Sequence, residues 1–239
     1  MSLSNFLDWL YPPTCIACRM LIALNDTAPR RMRICLHCQA LFEPIASAPI
    51  CKTCGTPTEN EVERCVSCFG KTFYFTHNYA TFAYDGIIRD LLLELKFQQK
   101  KQIAQSLGMI WTKHITVNIP EDTTLVPLPL HKKKQKERGF NQAEILTFHI
   151  SQAFNIPMQN ILARIVDTPP QSGLHPRQRA ENVSGAFAVV PGFSAKGNNY
   201  IIVDDIYTTG ASLNECAKVL KEAGAKNVSC MTFSVVQKK

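Results

Sequence analysis

The chain has 239 residues, of which 46% are hydrophobic and 19% charged, with a formal charge of +7. At about 150 residues per domain this length points to two units, and the apolar content excludes an intrinsically disordered chain. Its longest apolar stretches are short and broken by charge, well below the roughly 20 residues of a membrane-crossing helix, so a transmembrane protein is excluded and no membrane-spanning segment is expected.

The opening residues carry no basic cluster, and the apolar segment from Phe6 to Tyr11 is too short for a signal-peptide core. A cytoplasmic location is therefore expected. Eight of the ten cysteines form four C-x-x-C pairs: Cys15 and Cys18, Cys35 and Cys38, Cys51 and Cys54, Cys65 and Cys68. Two-residue spacing lets both sulfurs of a pair reach one ion, and two pairs complete the tetrahedron that zinc prefers. Two closed structural zinc sites are expected, in preference to disulfides or redox pairs. Spacing alone leaves open which pairs share a metal, whether His37 replaces one sulfur, and whether an iron–sulfur cluster takes the place of zinc. Two four-thiolate zinc sites would lower the net charge to about +3. The positive excess then lies on the part of the chain from His77 onward, where a nucleic-acid surface would be sought.

Composition divides the chain into a cysteine-rich module over 1–75 and a second domain over 76–239. From His77 onward, β-branched and aromatic runs alternate with helical patterns, the signature of an α/β parallel sheet with crossover helices. A strand is predicted from Asn78 to Tyr84, followed by a helix whose Ile88, Leu91, Leu92 and Leu95 share one face. A second helix is predicted from Gln102 to Ile115. The next strand, Thr124 to Leu128, is expected to run into a proline-punctuated basic loop, with a helix leaving it from Asn141 to Phe154. That helix presents Ile145, Leu146, His149, Ile150 and Ala153 as an apolar stripe. Positions 167–182 read as a long polar loop, and Arg177 and Arg179 are candidates for a lid over a ligand. The last unit is a strand from Tyr200 to Val203, a tight turn, a helix from Ala211 to Ala223 and a strand from Asn227 to Val236. Cys216 and Cys230 fall within this unit and are expected in its core.

The segment from Tyr200 to Ser212 carries the chemistry. A hydrophobic strand ends in Asp204 and Asp205 and enters a turn, Thr208-Thr209-Gly210-Ala211-Ser212, that opens a helix. Backbone amides, the helix dipole and three hydroxyls suit a phosphate, and the paired carboxylates suit vicinal ribose hydroxyls. A bare helix cap with two surface acids is the alternative. The basic run holding Lys132, Lys133 and Arg138 follows a strand's carboxyl end, where ligands bind in open α/β sheets.

The Tyr200–Ser212 segment resembles the phosphoribosyl pyrophosphate (PRPP) motif of type I phosphoribosyltransferases. With the Glu137-to-Ala143 block, the Gln171-to-Phe187 block and the cysteine pairs, nearly the whole chain resembles the ComF family of competence proteins. The resemblance implies a zinc-ribbon module on a type I phosphoribosyltransferase fold, with a role in DNA uptake during natural transformation. It carries over Asp204 and Asp205 as ribose binders and Thr208 to Ser212 as the 5′-phosphate loop. The loop after Val126, with Pro127, Leu128, Lys132, Lys133 and Arg138, would be the pyrophosphate loop. The family usually has arginines just before Arg138, where this chain has Lys132, Lys133, Lys134 and Lys136; lysine keeps the charge but loses the bidentate fork.

Two functions follow. One is magnesium-assisted transfer of a phosphoribosyl group from PRPP to an acceptor that the sequence does not name, with no general base assigned. The other is a single-stranded DNA-binding module whose PRPP site is regulatory or vestigial, partnered by DNA-uptake or recombination proteins. Phe140, Tyr207 and the aromatics Phe73 to Phe75 are its stacking candidates.

Overall fold

The computed structural model describes residues 12–22, 32–45, 48–97, 100–168 and 176–237. In chain order these hold α1 (Leu36–Gln39), β1 (Asn78–Ala83), α2 (Gly86–Phe97), α3 (Lys101–His114), β2 (Thr123–Pro127), α4 (Lys132–Arg138) and α5 (Gln142–Phe154). Then come β3 (Leu162–Arg164), α6 (Pro176–Val183), β4 (Phe187–Val189), β5 (Asn199–Tyr207), α7 (Ala211–Glu222) and β6 (Asn227–Val235). Strands β1, β6, β5 and β2 lie side by side in that order and are all parallel, while β3 and β4 form a separate antiparallel pair. The α/β parallel sheet is as expected.

Alternation along the strands sends successive side chains to opposite faces and builds two cores. Ile201, Val203, Met231 and Phe233 join one core with Leu92 and Leu95 of α2, Leu107 and Trp111 of α3, and Leu146 and Ile150 of α5. Tyr200, Ile202, Val228 and Cys230 join the other with Leu213, Cys216 and Leu220 of α7 and with Leu162 and Phe187 of the antiparallel pair. Cys216 and Cys230 are both fully buried, as expected of core residues.

The cysteine-rich segment divides between the same two cores. Cys15, Ile34, Cys38 and Phe42 belong to the first, where Phe42 meets Phe82 and Phe233 edge-on with ring centres 5.7 and 6.4 Å apart. Cys51, Cys54, Cys68 and Phe75 belong to the second. Buried Asn78 at the start of β1 donates to the Cys54 carbonyl at 2.9 Å and to Thr232 Oγ1 at 3.0 Å, tying the second cysteine group to the sheet.

Four elements depart from expectation. The basic run is helical as α4, because Lys, Gln, Glu and Arg are good helix formers and Gly139, at φ 80°, caps the helix in the left-handed region. It has no buried residue, so it lacked the apolar stripe by which a helix is recognised. The polar stretch is partly helical as α6, with Pro176 at its first position, where the missing N–H costs nothing. Short β3 and β4 carry too few residues for a periodic signal and were not anticipated. On α5 the buried side is Ala143, Leu146, Thr147 and Ile150, while Ala153 is exposed.

Helices α3 and α5 approach closely because Gly108 lacks a side chain: a Cβ there would lie 2.5 Å from Cδ2 of His149. Ala gains up to about 1 kcal/mol over Gly in a helix, whereas overpacking costs about 1–3 kcal/mol. Gly108→Ala is therefore expected to lower stability by a net of about 1 kcal/mol, read as a lower urea midpoint with an unchanged slope.

Candidate functional site

Strand β2 pairs with β5 only as far as Pro127 beside Val203, and its last contact there is Leu128 N–H donating to the Val203 carbonyl at 2.9 Å. On its other side β5 continues along β6 to Tyr207 beside Val235. Beyond Val203, then, β5 is held from one side and opened on the other. Asp204 and Asp205 sit at that opening, inside the strand and not after it as the sequence suggested. Asp204 is half-buried and its Oδ1 accepts from the Asp205 amide at 2.8 Å.

Asp205 is buried and makes an ion pair with Lys96 Nζ at 2.8 Å. Lys96 comes from the last turn of α2. It escaped notice in the sequence, yet Ile88, Leu92 and Lys96 are spaced four apart, so a cation occupies the buried stripe of an amphipathic helix. Burial alone would lower the Lys96 ammonium, but the Asp205 carboxylate more than reverses this and raises it. Burial likewise opposes the Asp205 charge, and Lys96 overcomes it to hold that carboxyl below its usual range. Burial and the Asp205 charge push the Asp204 carboxyl well above its usual range. Gln142, also missed in the sequence, contributes to holding the Asp205 carboxyl down, and its Oε1 accepts from Arg138 Nη1 at 2.5 Å. Three helices thus bring Lys96, Arg138 and Gln142 to the acid pair.

The rest of the expected pyrophosphate loop is not gathered there. Lys132 and Lys133 lie on the exposed face of α4, and Lys133 pairs with Asp167 at 3.6 Å. Half-buried Lys134 donates to the Thr168 carbonyl at 3.4 Å. Pro127 and Leu128 line the departure of β2. Of the lid candidates, Arg179 is half-buried on α6 and the Arg177 side chain lies outside the described residues.

After Tyr207 the chain bends through Thr208 and Thr209, and Gly210, at φ 75°, starts α7. Thr208, Thr209, Ala211 and Ser212 are half-buried around the helix N-terminus. Two features lock this turn to the second cysteine group. Tyr207, buried, places its hydroxyl against the Gly210 backbone, and burial together with the nearby Cys68 and Cys54 sulfurs raises its hydroxyl pKa. One turn into α7, Asn214 accepts from the Tyr74 amide at 2.7 Å and donates to the Thr72 carbonyl at 3.0 Å.

The four cysteine pairs resolve into two groups, Cys15, Cys18, Cys35 and Cys38, and Cys51, Cys54, Cys65 and Cys68, each with its sulfurs within 4.8 Å of one another. All are free thiols; Cys18 and Cys35 sulfurs are 3.8 Å apart and those of Cys54 and Cys65 3.7 Å. Four sulfurs about 2.3 Å from a tetrahedral zinc lie about 3.8 Å apart, so both groups fit zinc. Neither group includes His37. A hydrogen bond from the Cys68 thiol leads the effects that hold Cys54 down at about 5, giving the thiolate a metal requires.

Residues 6–69 match the double zinc ribbon domain family, and residues 141–238 match the phosphoribosyl transferase domain family. Competence protein F of Haemophilus influenzae is 28% identical over 90% of this chain and 93% of its own length. The chain thus combines a double zinc ribbon domain with a phosphoribosyl transferase domain and is similar to this competence protein over most of its length. Competence protein ComFC of Bacillus subtilis is 27% identical, covering 86% of this chain and 84% of that protein. The DNA utilization protein YhgH of Escherichia coli K12 is 26% identical over 91% of this chain and 94% of its own. In this chain a double zinc ribbon precedes a phosphoribosyltransferase-type domain with a parallel sheet. No helix among the described residues is long and apolar enough to cross a membrane.

Elemental analysis should find two zinc ions per chain in a colourless protein. Gly210→Ala would set a methyl group against the Tyr207 hydroxyl and strain a left-handed backbone position. It is expected to destabilise the fold by roughly 2 kcal/mol and to displace the turn, detectable as a lower melting temperature with zinc content retained.

Proposed function

We propose that this protein binds PRPP with magnesium at the opening between β2 and β5 and serves the handling of incoming DNA during natural transformation. The observation that carries the proposal is the meeting, at one strand end, of an acid pair, a helix N-terminus with three hydroxyls, and a half-buried arginine. The turn from Thr208 to Ser212 would take the 5′-phosphate on backbone amides and hydroxyls. Asp204, half-buried and facing the opening, would receive the ribose hydroxyls, while Lys96 holds Asp205 charged and in place. Arg138, fixed by Gln142, would stabilise negative charge on the pyrophosphate. The Asp204 carboxyl, an oxygen donor at the opening, would help hold magnesium, which would offset negative charge on the leaving group. Transfer of the phosphoribosyl group to an acceptor is the chemistry this arrangement favours. The relatives' names, two competence proteins and a DNA utilization protein, support the cellular role.

Calorimetry with PRPP and magnesium tests the site. Asp204→Asn should weaken PRPP binding at least tenfold with an unchanged melting temperature. Asp205→Asn should in addition cost on the order of 2 kcal/mol of stability, because it leaves Lys96 facing a neutral partner in a largely buried setting. Tight PRPP binding by both variants would reject the proposal.

A second reading has its own support. Lys132, Lys133 and Lys136 form an exposed face on α4, apart from the acid pair, and a solvent-facing basic stripe suits the backbone of single-stranded DNA. Changing all three to Ala should weaken single-strand binding about tenfold at low salt and flatten the log–log salt dependence by roughly two. PRPP affinity should stay within about threefold, since Arg138 is untouched. An unaltered salt slope, measured by fluorescence anisotropy, would place the DNA surface elsewhere.

A further inference from the structure

The last turn of α2 carries two charges that meet different neighbours. Lys96 reaches Asp205, and Glu94, two residues earlier, reaches the first zinc ribbon. An acid in the last turn of a helix opposes the helix dipole, so Glu94 needs cations from elsewhere. Arg19 of the ribbon supplies one, its Nη2 donating to both carboxylate oxygens at 2.6 Å, and Lys100, the residue that begins α3, supplies the other at 2.5 Å. With its side chain only 11% exposed, Glu94 is closed in between them.

Arg19 directly follows the metal ligand Cys18. Its φ is 65°, a left-handed value that a long side chain adopts only with strain. The cysteine turn imposes it: the Arg19 amide donates to the Cys15 carbonyl at 2.9 Å and the Cys15 amide to the Met20 carbonyl at 2.8 Å, closing the loop that brings the Cys15 and Cys18 sulfurs together. Metal at the first site would hold that turn, and the turn aims the guanidinium at α2. We infer that Arg19 is a positioning residue of the PRPP site, through which the first zinc ion sets the end of α2 and so the place of Lys96 against Asp205. The inference rests on the PRPP site proposed above.

The other ties of this ribbon run to a different helix. The Arg33 amide donates to Ser106 Oγ at 3.1 Å and Gln39 Oε1 accepts from Lys113 Nζ at 3.2 Å, both on α3. These seat the ribbon, whereas Arg19 bonds to α2 within one turn of Lys96. Buried Leu91, Leu92 and Leu95 hold the body of α2 in the core, so the helix does not depend on the Arg19 contact. Its last turn does, because the final carbonyls of a helix have no partners within it and the end frays unless fastened.

Exposure makes the first site the responsive one. Cys18 is exposed, while Cys51, Cys54 and Cys68 of the second group are buried. A chelator reaches the first ion sooner, and its departure lets Arg19 relax from the strained conformation. Lys96 then loses its fixed place beside Asp205 and PRPP affinity falls. Linkage requires the reverse as well: bound PRPP raises the zinc affinity of the first site by the same factor.

The test uses the full-length protein loaded with two zinc ions. Calorimetry with PRPP and magnesium comes first; absence of binding by the unaltered protein would reject the PRPP site, and the inference with it. Arg19→Gly removes the guanidinium and keeps a left-handed position that glycine adopts freely. It should retain both zinc ions and weaken PRPP binding at least about fivefold, the low end of couplings between sites. Arg19→Lys should restore affinity to within twofold, since a single nitrogen makes both contacts to Glu94. Glu94→Gln, which leaves the ribbon untouched, should weaken binding to a like extent, and the double variant should be no weaker than either single one. If Arg19→Gly loses zinc, Glu94→Gln decides by itself. Equilibrium competition with a zinc-selective chelator gives a readout that a merely structural role would not move, with alkylation of the freed cysteines identifying the emptied site by mass spectrometry. In the unaltered protein, PRPP with magnesium should raise at least about fivefold the chelator concentration that empties Cys15, Cys18, Cys35 and Cys38, and this protection should vanish in Glu94→Gln. Unchanged PRPP affinity in the variants that keep their zinc would overturn the inference and leave the PRPP site standing. So would equal protection of the first zinc ion with and without the Arg19–Glu94 pair.

Discussion

The early end of β2 organises this molecule. In a parallel sheet every strand interior is normally paired on both sides, which satisfies its backbone and leaves no room for a ligand. Here β5 runs past its neighbour, keeps β6 on one side, and has no strand paired to its other side from Asp204 onward. The chain leaving β2 goes on to α4 and α5, so the departure that opens the edge also delivers Arg138 and Gln142 to it. A ligand crevice outside the carboxyl ends of strands is the general solution of open α/β sheets, and here it is lined by charge from three helices.

Two adjacent carboxylates in a largely buried setting are costly unless their charge is shared or cancelled. Lys96 offsets the charge of Asp205, while burial and the Asp205 charge push the Asp204 carboxyl well above its usual range. Asp205 and Lys96 are thereby part of the fold, and Asp204 is the member free to respond to a ligand. One motif that reads as two equivalent acids becomes two residues with different physical roles.

The zinc ribbons are likewise not a head set apart from the sheet. Each supplies buried side chains to a different face, and the second reaches the turn at the start of α7 through Tyr207 and Asn214. A short, loop-rich segment buries too little apolar surface to hold itself together, so metal and borrowed core share that task. This packing sets the second cysteine group beside the turn at the start of α7, which no spacing of cysteines could reveal.

The sequence by itself determined the elements whose signals are local. Cysteine pairs with two-residue spacing announce metal, alternating hydrophobic runs announce the parallel sheet, and a hydrophobic strand followed by acids, threonines and glycine announces the strand, turn and helix of the last unit, because each depends on neighbours along the chain. Lys96 was half-visible, as a cation on the buried stripe of α2, but its partner lies more than a hundred residues away. Tertiary structure alone decided which cysteine pairs share a metal, that the basic run is a helix turning most of its lysines to solvent, and that Gln142, Asn214 and Tyr207 join remote elements. Those outcomes depend on distances between segments remote in sequence, and such distances are fixed only when apolar faces from the whole chain pack into common cores.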